Sequence, residues 1–103
     1  MPALVIGNVT AVRDERAMAE YREKVLATLQ LYGGGFEVRG GTVDVLEGEW
    51  RPEHLSVMWF PTADHARRWY HSPEYAAILE LRMGVDMELV LVAGEGQGLE
   101  GTS

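Results

Sequence analysis

Three short runs along the chain are apolar on both alternating faces: LVIGNV at 4–9, LSVMWF at 55–60 and MELVLVA at 87–93. A strand wetted on one face alternates apolar and polar side chains, whereas a strand buried on both reads as a nearly unbroken apolar run. Between the runs the period changes. Met18, Tyr21, Val25, Leu29 and Tyr32 recur at three- and four-residue spacing and make one helical stripe, with Arg16, Glu20, Glu23 and Lys24 lying off it.

This pattern predicts a first strand from Ala3 to Val12 and a helix from Glu15 to Tyr32, with Asp14 as its N-cap. Gly33-Gly34-Gly35 ends that helix, since glycine accepts the left-handed geometry of a helix C-terminus. In the second strand Phe36 and Val38 are apolar at even positions, Val43 and Val45 at odd ones, and Gly40-Gly41 lies between. A bulge or sharp bend at the glycines accommodates the change of phase. With Phe36 and Val38 turned toward the helices, Arg39 turns to the opposite side of the sheet. Gly48–Pro52 reads as a turn and His54–Phe60 as a third strand, stopped by Pro61. Thr62 caps a second helix that buries Ala63, Ala66 and Trp69 or Tyr70. Ser72-Pro73 interrupts it, because serine caps and proline suits a first helical turn. A further helix from Pro73 to Arg82 and a fourth strand from Val85 to Ala93 complete the reading.

Strand, helix, strand, strand, helix, strand is the ferredoxin-like order, an α+β fold with a four-stranded antiparallel sheet. Residues 1–93 form the single expected domain, and the glycine-rich 94–103 a flexible tail. Two helices cover one face of such a sheet. The runs are apolar on both, so the second face calls for a cover, most simply a second copy. The expected assembly is therefore a homodimer with two sheets face to face, a dimeric α/β barrel.

Composition narrows the partners. At 103 residues the chain builds one modest core. Sixteen acidic against nine basic side chains give a net charge of −7, which argues against nucleic acid and anionic membranes, both of which need a basic surface. The absence of cysteine excludes disulfides, thiolate catalysis and thiolate metal sites. MPALVIGNV has no basic region and too short an apolar run for a membrane span or signal peptide, so a cytoplasmic location is expected.

Candidate chemistry rests on a few side chains. Arg39, beside the expected bulge, can hold a carboxylate or enolate through two parallel hydrogen bonds, or can make a structural ion pair with Glu37, Asp44 or a residue of a second copy. His54 opens a strand at the sheet rim, and His71 sits at a helix break, a place for a general base or equally for a surface turn. His65, among charged neighbours, reads as solvated. Trp69, Tyr70 and Tyr75 form an aromatic group with polar handles, suited to lining a pocket or to packing the second helix; Trp59 belongs in or beside the sheet. No histidine pair falls at metal-ligand spacing, so no metal is expected. The glycine clusters lack the lysine and strand-to-helix context of a phosphate loop, and no nucleophile motif occurs. What remains is proton transfer or oxygen chemistry on a bound molecule, without a cofactor.

VRGG at Val38–Gly41, EGEWRPEHL at Glu47–Leu55 and WYHSPEY at Trp69–Tyr75 resemble the bacterial family called domain of unknown function 1330, and the resemblance extends from the first strand to the last. It implies the dimeric α/β-barrel, ferredoxin-like fold, and no agreed activity. Two positions depart from the family's habit: Trp59 stands where an acidic residue is frequent, and Gly35 where arginine or lysine is. The wider superfamily includes cofactor-free monooxygenases, muconolactone-type isomerases and haem-degrading monooxygenases, an analogy of fold. Haem-degrading relatives use an asparagine, a tryptophan and a histidine that correspond in order to Asn8, Trp69 and His71, although here only two positions separate the last pair. The leading expectation is a small-molecule-binding dimer, with isomerase- or monooxygenase-like chemistry on an oxygenated or aromatic metabolite. A non-catalytic binding or structural dimer is the alternative.

Overall fold

A computed structural model describes residues 2–94 of the chain. It contains β1 (Ala3–Val12), α1 (Glu15–Leu31), β2 (Gly35–Thr42), β3 (His54–Phe60), α2 (Ala63–Tyr70), a single-turn α3 (Pro73–Ala76), a 3-10 helix (Leu79–Gly84) and β4 (Val85–Ala93). The sheet order is β2-β3-β1-β4, with every neighbouring pair antiparallel. This is the ferredoxin-like arrangement, with the helices on one face. The expected tail lies outside the described residues from position 95 onward.

Local chemistry sets the boundaries. The Asp14 carboxylate accepts from the backbone N–H groups of Arg16 and Ala17, both at 3.1 Å, and so satisfies two of the free donors at the start of α1. At its other end Gly33 adopts φ +78°. There the N–H of Gly34 donates to Leu29 and that of Gly33 to Gln30, the paired bonds of a Schellman ending. Ser72 bridges α2 and α3, its hydroxyl donating to the Trp69 carbonyl at 2.7 Å and accepting from the Tyr75 N–H at 3.0 Å.

Cross-strand partners share a face, so the register sorts the sheet into two surfaces. Toward the helices lie Leu91–Val5–Met58–Phe36 and, one row along, Leu89–Gly7–Ser56. Against them pack Tyr21, Val25, Leu29, Trp69, Tyr75 and Ile78, the core of the chain. The opposite surface carries three rows: Val92–Leu4–Trp59, Val90–Ile6–Val57–Val38 and Glu88–Asn8–Leu55. No element of the described residues lies over them, and Val90 and Val92 remain 54% and 45% exposed.

Two expectations change. The helix foreseen over Pro73–Arg82 is a single α-turn followed by the 3-10 segment. The second strand stops at Thr42, which pairs with His54, the first residue of β3. Beyond that pair Val43 and Val45 have no strand opposite them, so the alternation there never becomes a ladder.

Candidate functional site

A cleft of about 430 Å³ opens between α1 and the helix-side face of the sheet. Gly7, which has no side chain, and Ser56, which has a small one, lie in its floor beside Met58, Phe36 and Leu89. Tyr21 and Val25 of α1 form the roof, and Arg39 with His54 stands at the β2–β3 side.

Arg39 reaches this side because β2 is bulged twice. Phe36 pairs with Met58 and Val38 with Val57, so Glu37 is an extra residue; a second irregularity falls between Val38 and Gly41. The expected bend at the glycines is present, with Gly40 at φ +63° and its N–H bound to the Ser56 hydroxyl at 2.8 Å. The bulge at Glu37 was not expected. It puts Phe36 on the helix side and Val38 on the open face, and it turns Arg39 inward rather than away. The orientation derived from simple alternation is therefore reversed. The Arg39 guanidinium lies 4.6 Å from the centroid of the Phe36 ring and donates one N–H to the Arg22 carbonyl. Stacking and one neutral acceptor hold the fork in place while leaving further N–H groups for a ligand.

Tyr21, a member of the apolar stripe of α1, also borders the cleft. Its hydroxyl shares a 2.7 Å hydrogen bond with that of Tyr75. Burial is the main reason its pKa is raised well above the ordinary phenol range, and Tyr75 adds to the shift while Arg82 opposes it. Tyr21 therefore stays a neutral donor or acceptor. The signal in the sequence was a tyrosine in the middle of the α1 stripe, between Met18 and Val25; its place over Gly7 and Ser56 comes from the fold.

The remaining candidates scatter. His71 caps the end of α2 and, with Trp69 and Tyr70, borders a separate cavity under that helix. Trp69 is fully buried, its indole N–H donating to Thr28 at 2.9 Å, and Tyr75 is core. Trp59 and Asn8 lie on the open face of the sheet, where the Asn8 amide donates to Glu88 at 3.2 Å. Asn8 is thus separated from Trp69 and His71 by the sheet itself, and the three do not converge on a haem pocket. His65 accepts or donates at 2.7 Å with the Thr62 hydroxyl, a local cap rather than a site. Among the described residues no group of three potential metal ligands occurs, and no helix is long and apolar enough to cross a membrane.

The family model described as domain of unknown function (DUF1330) matches residues 2–95. No curated protein matches the chain. Among solved structures, the RPA0582 protein of unknown function from Rhodopseudomonas palustris is similar at 16% identity and TM-score 0.70, covering 90% of this chain and 82% of that one. A variant of SnoaB, a cofactor-independent oxygenase from Streptomyces nogalater, is similar at 16% identity and TM-score 0.62, covering 96% and 98%. Rv0793 from Mycobacterium tuberculosis is similar at 13% identity and TM-score 0.55, covering 96% and 100%. At these identities the likeness is one of fold.

Proposed function

The chain belongs to the DUF1330 family, and from that premise we propose that it is a homodimer binding a small oxygenated or aromatic molecule in the cleft under α1, with cofactor-free acid–base chemistry there. The observation that carries this reading is the meeting of Arg39 and His54 at one cleft floored by Gly7 and Ser56. A ligand carbonyl or carboxylate oxygen sits on the free N–H groups of Arg39, and its apolar body lies against Met58, Phe36 and Val25. The His54 imidazole then removes a proton from the carbon next to that carbonyl. The products of the step are an imidazolium and an enolate whose oxygen Arg39 holds; returning the proton to a different carbon completes an isomerisation. The fold shared with a cofactor-independent oxygenase supports chemistry without a bound helper group.

A non-catalytic binding role is the second reading. It is favoured by His54, which is exposed and has no side-chain hydrogen bond among the described residues to orient it. Thermal-shift screening with carbonyl-bearing aromatic compounds that lack a carboxylate separates the two readings, because a ligand selective for the native state raises its stability. In the enzymatic case Arg39→Ala abolishes the shift, while His54→Gln keeps the shift and loses turnover. Binding with turnover indifferent to His54→Gln leaves a binding protein. A ligand shift indifferent to Arg39→Ala removes the cleft from consideration altogether.

A further inference from the structure

The second cavity, about 250 Å³, lies between α2 and β4, on the far side of Met87 and Leu89 from the first cleft. Val5, Leu91, Ala66 and Trp69 give it apolar walls. Its charged lining is of one sign: Arg67 and Arg82, with His71 beside them and no carboxylate. That is unusual in a chain of net charge −7.

Arg82 is the more informative of the two. One terminal nitrogen donates to the Tyr75 hydroxyl at 3.2 Å and the other to the Met87 carbonyl at 3.4 Å, both long bonds to neutral acceptors. Its Nε is buried without any partner. Among the described residues neither Arg82 nor Arg67 forms an ion pair, whereas the adjacent Arg68 is matched to Asp64 at 2.6 Å. A partly buried guanidinium with no counter-charge and an orphaned N–H is costly, and buried charges are normally paired. No carboxylate among the described residues supplies that counter-charge.

We propose that this cavity is a second ligand site, for a monocarboxylate with a small apolar body such as an aromatic or short alkyl acid. The carboxylate lies between Arg82 and Arg67, and the body lies against Trp69, Leu91 and Val5. Guanidinium groups recognise the planar carboxylate with paired hydrogen bonds. The volume is just under the ~300 Å³ at which pockets for larger organic ligands begin, which limits the body to one ring or a short chain. The proposal is independent of the function assigned to the first cleft.

The test is a titration of the full chain with benzoate and hexanoate, with benzyl alcohol and hexanol as uncharged controls, followed by the indole N–H signal of Trp69 in NMR spectra. Trp50→Phe and Trp59→Phe assign that signal. The expected result is a saturable shift with one or both acids, and binding of the alcohols weaker by about tenfold or more, the value of a lost charged hydrogen bond. Arg67→Ala and Arg82→Met each weaken acid binding by a similar factor, and Ala66→Leu, which fills the cavity, abolishes it. Arg39→Ala leaves it unchanged, which separates this site from the cleft under α1. If Arg82→Met fails to fold, Arg67→Ala and Ala66→Leu carry the test. No saturation at millimolar acid, equal binding of acids and alcohols, or full affinity in the Arg67 and Ala66 variants overturns the proposal.

Discussion

The two faces of the sheet carry the same kinds of side chain and meet different surroundings. Toward the helices, Phe60, Leu29, Trp69 and Tyr75 keep no exposed surface, and each buried polar group among them is matched, Trp69 with Thr28 and Tyr75 with Tyr21. On the opposite face, Leu4, Ile6, Val57, Trp59, Val90 and Val92 stand in rows just as apolar and stay partly open. Apolar alternation along a strand fixes which faces must be dry; the return path of the connecting helices decides which of them one chain can dry by itself. The open rows are therefore the surface on which we place the second copy. They stand side by side in paired rows, unlike the isolated apolar residues that any monomer exposes.

Trp69 and Trp59 test that contrast most directly, being the same residue on opposite faces. Trp69→Ala is expected to cost about 3–5 kcal/mol in urea unfolding, since it leaves a void against Phe60 and Tyr75, while the Thr28 hydroxyl keeps its bond to the Val25 carbonyl. Trp59→Ala is expected to cost less in dilute protein, with a loss that grows as concentration rises, because a dimer's stability depends on concentration. Equal, concentration-independent losses would mean that the two faces do not differ in how they are covered.

Next in size comes the open face itself. Val90→Glu combined with Val92→Glu places two charges at the β4 end of two adjacent apolar rows. If a second copy covers them, burying the carboxylates is prohibitive, and light scattering shows a dimer becoming a monomer at micromolar concentration. The exposed positions of the monomer itself tolerate the change, within about 0.5 kcal/mol of unfolding free energy. A parent chain already monomeric at that concentration, or a double variant still dimeric, breaks the assignment of this face.

Much of this arrangement could be read before any coordinates. The limits of β1, β3 and β4 follow from their unbroken apolar runs, and the ends of α1 from Asp14 and the glycines, because these signals are local. The failures are all matters of partnership. Val43 and Val45 alternate like a strand, but β3 begins at His54 and offers them no neighbour. The segment after Pro73 has helix-forming residues, yet Ile78 is buried and Leu81 packs on the core while Leu79 is left exposed, and a tightened 3-10 turn meets that spacing. Arg39 was turned the wrong way by a bulge at Glu37, a residue with none of glycine's freedom to mark it. Its inward turn, and with it the placing of Arg39 and His54 at one cleft, is a property of the β2–β3 register that no single strand announces. The scatter of Asn8, Trp59, Trp69 and His71 has the same cause, since adjacency in sequence order says nothing about which face of the sheet each side chain takes.

The smallest expected effect concerns the polar matching that distinguishes the closed face. Tyr21 and Tyr75 share one hydrogen bond, and burial raises the Tyr21 pKa above its ordinary value of 10.0. A phenol held neutral in the fold and free to ionise when unfolded contributes stability that is whole below about 10 and is lost as pH rises from there toward the folded value. Tyr21→Phe is therefore expected to cost about 1 kcal/mol near neutrality, the net worth of one hydrogen bond. The Tyr75 hydroxyl is not orphaned, because Arg82 still donates to it. The variant also lacks the alkaline loss, so the stability gap between the two proteins narrows as pH climbs from ~9 to ~11. Urea unfolding across that range reads both parts. A gap that stays constant would mean Tyr21 ionises as easily folded as unfolded, and the closed face would then be wetter at Tyr21 than its burial implies. A gap that closes ties the dryness of that face to a titration that the open face, with Glu88 exposed at its β4 edge, does not share.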